Sequence, residues 1–255
     1  MPPLAAFLVL GVKNMKLIHF DTVESTNSEA KILAANGAEE FTAVFSEHQS
    51  AGRGRLGRSF YSPRSSGLYL SVVLRPRLSA SDALNITTAA AVAVSRAIEN
   101  IFHKSPKIKW VNDLYLNDKK ICGILCESAL NQEGGAEWVI LGIGINLFPS
   151  EEPVPEELRD IVGFVCEEKT DVDKAYIVAE IIKEFKKIYD RIEERKFFKE
   201  YNERLMLTGR RVTVLAGGTE KNALVLGTDN NLGLRVLFDD KTESTLTAGE
   251  VSIKL

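Results

Sequence analysis

Apolar residues fall along this chain in two rhythms. Short runs rich in β-branched and aromatic residues, "KLIHFDTV" from Lys16 and "GLYLSVVLRP" from Gly67, read as strands. Between them "STNSEAKILAANG" has helical spacing, with Thr26 and Glu29 placed as a capping box and Gly37 as the stop. In "SDALNITTAAAVAVSRAIENIF", Ile86, Ala90, Ala93, Ala97 and Ile101 share one helical face, and the alanines let that helix approach a sheet closely. "KIKWVNDLYLNDKKICGILCESAL" predicts strands joined by a tight turn at Asn117-Asp118, and "EWVILGIGINLF" predicts another. After the Pro- and Glu-rich "PSEEPVPEEL", residues Ile177, Ile181, Phe185, Ile188 and Ile192 predict a long amphipathic helix. Beyond Thr208 the rhythm shortens to "RRVTVLA", "ALVLG", "LRVLF" and "STLTAG", separated by turns at Gly217-Gly218, Asp229-Asn230-Asn231 and Asp239-Asp240. Such a series predicts a small β-barrel appended to an α/β domain.

One loop interrupts this pattern with chemistry. In "AGRGRLGRSF", Gly52, Gly54 and Gly57 have the G-x-G-x-x-G spacing of a dinucleotide-binding turn. That turn needs a helix to start on the glycines, so that a pyrophosphate can sit on the helix N-terminus. Here Pro63, two serines and Gly67 follow, then an apolar strand, so the dinucleotide reading fails. What remains is Arg53, Arg55 and Arg58 among glycines, either wrapping an anion with guanidinium forks and free amides or forming a solvated surface loop.

Composition narrows the classes. A chain of 255 residues can bury one large core or a core plus a small appendage. Its net charge of -3 gives no global basic surface, so an anion site must be local and tight nonspecific DNA binding is not expected. Three cysteines (Cys122, Cys126, Cys166) and three histidines (His19, His48, His103) are spaced wrongly for zinc, and the odd cysteine count points to a reducing, cytoplasmic compartment. The apolar run within residues 1–15 is too short to span a bilayer and lacks the basic region of a signal peptide; those residues read as an N-terminal extension before a core that starts near Met15.

Four polar clusters break otherwise apolar elements. Ser25-Thr26-Asn27 stands at a helix start, where capping alone could explain it. Gln49 precedes the arginine loop, and "KWVNDLYLNDKK" holds Lys109, Asn112, Asp113 and Lys120, which could also be the solvated lysines of an edge strand. In "GIGINL", Gly142 and Gly144 inside a strand imply close backbone approach to something, and Asn146 is either an adenine-reading amide or a buried amide satisfied by a neighbouring loop. Together they supply what holding two anions close requires: several cations, flexible amides, one acid for Mg²⁺ and amides for a heterocycle.

In this order and spacing, "STN", "Q-x-x-G-R-G-R-L-G-R", "K-W-V-N-D-L", "K-K-I-C-G-I-L" and "G-I-G-I-N" resemble the biotin protein ligases, from about residue 16 to the C-terminus. The resemblance is to the class without an N-terminal DNA-binding domain. It implies an α/β (α+β) catalytic domain over residues 16–207, with a mixed, mainly antiparallel sheet packed by helices, and an SH3-like barrel over 208–255. It also implies that ATP and Mg²⁺ convert biotin to biotinyl-5′-AMP, and that biotin then passes to a lysine of a biotin carboxyl carrier protein. No DNA or membrane partner and a homodimer are expected with it.

Carried over residue by residue, Ser25, Thr26, Asn27 and Gln49 would surround the ureido ring, and Arg53, Gly54 and Arg55 would close over biotin and phosphate. Lys120 would bind the biotin carboxylate and α-phosphate, with Gly123 giving backbone contact. Arg55, Arg58, Phe60, Lys109, Asn112, Lys120 and Asn146 would meet ATP or the adenylate, and Asp113 would serve Mg²⁺ or the incoming amine. Arg55, Lys109, Asp113 and Lys120 are thus the catalytic candidates. Val111, Phe60 and Lys254 depart from the family's usual proline, tryptophan and arginine, and none of these changes removes a charge the reaction needs. The alternatives are a lipoate or octanoate ligase of the same fold and a noncatalytic biotin sensor; Lys109, Asp113 and Lys120 speak against the sensor.

Overall fold

Strand β3 (Gly67–Leu74) is buried at every position, as a near-continuous apolar run requires when both faces of a sheet are covered. Leu68, Leu70, Val72 and Leu74 enter the main core, whereas Val73 enters a smaller cluster on the opposite face. The computed structural model describes residues 15–76, 83–130, 135–216, 219–247 and 251–254.

The main sheet comprises β1 (Lys16–Phe20), β2 (Thr42–Ser46), β3, β4 (Lys107–Lys109), β5 (Asp113–Leu116), β6 (Lys119–Leu130) and β7 (Ala136–Asn146), in the order β1-β2-β3-β7-β6-β5-β4. Only β1 and β2 run parallel among its described pairs, so the sheet is mixed and mainly antiparallel, as expected. Helix α1 (Thr26–Ala35) covers one face, where Ala30 and Ala34 pack with Ile18, Val44, Val73 and Ile140. On the other face lies the alanine-rich α2 (Ala83–Phe102), followed outward by α3 (Lys174–Tyr189) and flanked by α4 (Phe197–Arg204). Alanines 89, 90, 91, 93 and 97 are fully buried or nearly so, which fits the close approach their size allows.

The second sheet orders β8 (Arg211–Ala216), β9 (Thr219–Thr228), β10 (Leu234–Phe238), β11 (Glu243–Leu246) and β12 (Val251–Lys254) as β11-β10-β9-β8-β12, antiparallel throughout. Val212, Val214, Ala223, Val225, Leu234, Val236 and Leu246 of this sheet join the main core in one contiguous cluster. The indole of Trp110 donates to the Leu232 carbonyl at 2.9 Å and Met206 N–H to that of Ile108 at 3.0 Å, pinning this sheet beside β4.

Several local expectations hold. Asn117 and Asp118 both have positive φ (49° and 57°), as a two-residue hairpin of the I′ type demands. Others are corrected. Thr26 is not the cap but the first residue of α1: Ser25 is the N-cap and gives no side-chain cap bond, while Gln49 Oε1 takes the Thr26 N–H at 2.8 Å. The long helix ends at Tyr189, and Ile192 is buried from a separate short 3-10 turn. β12 was not among the strands expected from the sequence. Residues 1–14, the Gly217-Gly218 turn and the start of the helical run at residues 81–82 lie outside the described residues.

Charge fastens the three helices of the α2 face. Glu200 on α4 meets Arg96 of α2 at 2.5 Å and Arg204 at 2.8 Å, and Arg204 grips Glu99 of α2 through both oxygens at 2.7 Å. Arg96 also lies 3.6 Å from Glu184 of α3. Burial works against the Glu200 charge, but the bonds from Arg96 and Arg204 outweigh it and hold the carboxyl below its ordinary range; the Arg204 bonds do the same for Glu99. Lowered carboxyl pKa values stabilise the fold above the ordinary carboxylate range and cease to do so as the pH falls through the lowered value. Glu200→Ala should therefore cost about 1.5–3 kcal/mol in urea unfolding at pH 7, and the gap to wild type should shrink as the pH drops below that range.

Candidate active site

A single register row crosses the middle of the main sheet. Tyr69 on β3 stands opposite Gly144 on β7, Gly144 opposite Gly123 on β6, Gly123 opposite Asp113 on β5, and Asp113 opposite Lys109 on β4. Directly opposed residues share a face, so two glycines sit between a tyrosine and a charged pair and leave a trough. In the next row on that face Ser71 opposes Gly142, which opposes Leu125. The start of α1 and the arginine loop roof this trough into a cavity of about 220 Å³.

The loop is a miniature hairpin. Arg53 bridges Ser59, Gly54 N–H donates to the Arg58 carbonyl at 2.7 Å, and Phe60 N–H to that of Gly52 at 2.9 Å. After Gly54 comes only a 3-10 turn, Arg55–Gly57, and no α-helix, in keeping with a loop that is not a dinucleotide turn. Phe60 then drops its ring onto the trough: a Cβ at Gly144 would lie 2.6 Å from it and one at Gly123 2.9 Å. The close approach inferred for the "GIG" glycines is thus to the protein's own side chains, Phe60 at Gly144 and Asn27 at Gly142.

A charged chain links the loop to the sheet. Arg55 Nη1 donates to Asn112 Oδ1 at 2.9 Å, Asn112 Nδ2 to Asp113 Oδ1 at 3.0 Å, and the Lys120 ammonium reaches the same Asp113 oxygen at 2.8 Å. Asn112 Nδ2 also reaches the Ile124 carbonyl at 2.9 Å, which fixes the amide's orientation. The Lys120 backbone is pinned by the Ile161 carbonyl at 2.7 Å and by Gly163 N–H at 2.8 Å. Lys109 is largely desolvated, which lowers its pKa; Asp113 opposes that shift and Lys120 adds to it. Arg53, Arg55, Arg58, Lys109 and Lys120 all line the cavity against the one carboxylate of Asp113, a strongly cationic site inside a chain of net charge -3.

A second, largely neutral network occupies the part nearest α1. Gln49 Oε1 accepts from Thr26 N at 2.8 Å and Thr26 Oγ1 at 3.0 Å, and Ser71 Oγ lies 2.8 Å from Thr26 Oγ1 and 2.6 Å from Asn27 Oδ1. These residues are therefore not at the helix start merely for capping. Of the residues singled out in the sequence, Ser25, Thr26, Asn27, Gln49, Arg53, Gly54, Arg55, Arg58, Phe60, Lys109, Asn112, Asp113, Lys120 and Gly123 all line the cavity. Asn146 does not. It is buried one step beyond Gly144, its Nδ2 3.3 Å from the Lys120 carbonyl. Tyr69, Ser71 and Glu127 were missed; a serine inside the apolar run "GLYLSVVL" was the available signal for Ser71.

Comparison with known proteins places this geometry. The biotin/lipoate A/B protein ligase family matches residues 19–146. The chain is 37% identical over 179 residues to the bifunctional ligase/repressor BirA of Bacillus spizizenii, covering 70% of this chain and 55% of that protein, so it spans about half the length of that relative. It is 28% identical over 204 residues to the biotin--[acetyl-CoA-carboxylase] ligase of Mycobacterium tuberculosis, covering 77% of this chain and 73% of that one. Among solved structures, biotin protein ligase from Aquifex aeolicus in complex with biotin and ATP superposes with a TM-score of 0.79 at 27% identity, covering 93% of this chain and 98% of the other.

The Phe60 ring should anchor the loop on the glycine trough. Gly144→Ala places a methyl within 2.6 Å of that ring and must lift it. Trypsin should then cut faster after Arg53, Arg55 or Arg58, while the melting temperature changes by only a few degrees because the ring lines an open cavity. Unchanged cleavage would show that the loop is held by other contacts.

Proposed function

The chain belongs to the biotin/lipoate A/B protein ligase family, and from that membership we propose that it is a biotin protein ligase, which activates biotin with ATP and transfers it to a lysine of a biotin carboxyl carrier protein. The observation that carries this reading is the single cavity in which a neutral hydrogen-bonding network and a five-cation cluster meet across a glycine floor. A neutral bicyclic urea offers N–H donors and a carbonyl acceptor to the first part. Its carboxylate and a nucleotide triphosphate need the second.

In the first step a carboxylate oxygen attacks the α-phosphorus, the bond to pyrophosphate breaks, and pyrophosphate leaves. No covalent enzyme intermediate is involved, so the residues act by positioning and by stabilising charge on the phosphoryl oxygens. Arg55 and Lys120 are assigned that role, Arg55 held by Asn112 and Lys120 by Asp113. In the second step a neutral amine attacks the acyl carbon, the bond to AMP breaks, and an amide forms. Asp113 is the carboxylate placed to orient the amine or take its proton, and Lys109, kept largely from water, adds a cation for the phosphates. Mg²⁺ on a nucleotide draws most of its ligands from phosphate and water, so one carboxylate suits it; bound there, it would neutralise phosphate charge. Among the described residues no cluster of three His, Cys, Asp or Glu side chains forms a protein-only metal cage. The arginine hairpin, resting on the trough through Phe60, would shield the adenylate from water until the acceptor arrives.

A lipoate or octanoate ligase is the second reading, since the family embraces both. An apolar dithiolane or alkyl head brings no donor or acceptor to the hydrogen-bonding capacity that Thr26, Asn27, Gln49 and Ser71 leave unused among themselves, which is costly beside the buried Thr26, Asn27 and Ser71.

Biotin should drive exchange of labelled pyrophosphate into ATP in the presence of Mg²⁺, and lipoate should not; the reverse result would assign the protein to the sister reaction. Arg55→Ala and Lys120→Ala should each slow exchange by roughly ten- to two-hundred-fold, the worth of one charge-assisted bond. The reading also takes a homodimer as the assembly and the cytoplasm as the location. Light scattering should give twice the chain mass at micromolar concentration, and a monomer mass throughout would overturn the dimer.

A further inference from the structure

Asn27 and Lys31 lie one turn apart on α1 and reach the same carboxylate on β6. Asn27 Nδ2 donates to Glu127 Oε2 at 2.8 Å, and the Lys31 ammonium meets Glu127 Oε1 at 2.6 Å. Glu127 shares the cavity face of β6 with Leu125 and Gly123, two and four residues earlier. Burial opposes its charge, yet the bonds from Lys31 and Asn27 and the nearby Lys31 and Arg53 charges hold its carboxyl below the ordinary range. At neutral pH it is therefore a carboxylate, which accepts hydrogen bonds and donates none.

That chemistry decides which way the Asn27 amide faces. An amide turned the other way would set its oxygen against the carboxylate, so Nδ2 must face Glu127. Oδ1 then lies against Gly142 on the cavity floor, where a Cβ would come within 2.3 Å of it. One lone pair of Oδ1 is met by Ser71 Oγ at 2.6 Å, and the other is left to accept. Asn27 is almost wholly buried, so an unmet acceptor there is costly and a ligand N–H is its natural partner.

We infer that Glu127, which lies outside the set of residues lining the cavity, is a positioning residue for head-group specificity: by fixing the Asn27 amide it presents Oδ1 as an acceptor that selects a ring bearing an N–H donor. The inference rests on the biotin reading of the cavity and adds to it the group that sets the polarity of its neutral network. Lys31 holds Glu127 in place from the outer side.

The test compares biotin with its two cyclic carbamate analogues, each with oxygen in place of one ureido N–H, by isothermal titration calorimetry. Wild type should bind at least one analogue about tenfold or more weakly than biotin. Glu127→Ala should erase most of that preference, whereas Glu127→Gln, whose Oε1 can still accept from Nδ2, should keep it, and Lys31→Met should keep it as well. The double variant Lys31→Met with Glu127→Met replaces the ion pair by apolar contact, guards against a failure of the alanine variant to fold, and should lose the preference too. A purely structural role would weaken biotin and analogue by the same factor in Glu127→Ala; that result, or no preference in wild type, overturns the inference while leaving the ligase reading intact. Absence of any biotin binding by wild type would overturn both.

Discussion

The site depends on the absence of side chains at three positions of the main sheet. Gly123, Gly142 and Gly144 stand on adjacent central strands, and a methyl on any one would lie within 3.0 Å of Phe60 or Asn27. Larger residues there would fill the trough, lift the arginine hairpin and press the start of α1 off the sheet. The opposite faces of β6 and β7 carry Cys122, Ile124, Ile143 and Ile145 in the main core, so those strands cannot shift to compensate. The cavity is thus a gap built into the packed centre of the main sheet.

Around that gap the polar groups are arranged so that each fixes the next. Asp113 holds Lys120 and accepts from Asn112, which turns its oxygen to Arg55. At the other network Glu127 orients Asn27, and Gln49 orients Thr26. Groups fixed in this way spend little reorganisation when charge develops, which is the physical basis of electrostatic catalysis. Cations crowded beside one carboxylate repel one another, and anionic substrates relieve that repulsion on binding.

The scaffold is braced on its other face. Alanines on α2 bring that helix close to the sheet, and the Arg96, Glu200, Arg204 and Glu99 chain ties α2 to α4. From α4 the chain runs directly into the second sheet, whose apolar face joins the same core through Val212, Val214, Leu234 and Val236. Trp110 links the two sheets next to Lys109. Movement of the small sheet would therefore be felt at the cationic edge of the cavity.

Local chemistry in the sequence was enough to mark most of the elements, α4 and β12 excepted. Alternation and β-branching marked the strands, helical spacing marked α1 to α3, and Asn117-Asp118 marked a hairpin, because each signal acts over a few residues. Motif order likewise identified most of the polar and charged residues that line the cavity. What the sequence left open was every relation between distant segments. Whether Ser25-Thr26-Asn27 capped a helix or lined a site was decided by Gln49, 23 positions from Thr26. Only the strand register could show that Tyr69, Gly144, Gly123, Asp113 and Lys109 form one row. Glu127 acquires its role through a helix a hundred residues away. Asn146, placed in the site by its motif, lies one step past the trough with its amide turned to the Lys120 backbone. Helix and strand follow from neighbours along the chain; a site follows from neighbours in space, and those are set by register and packing.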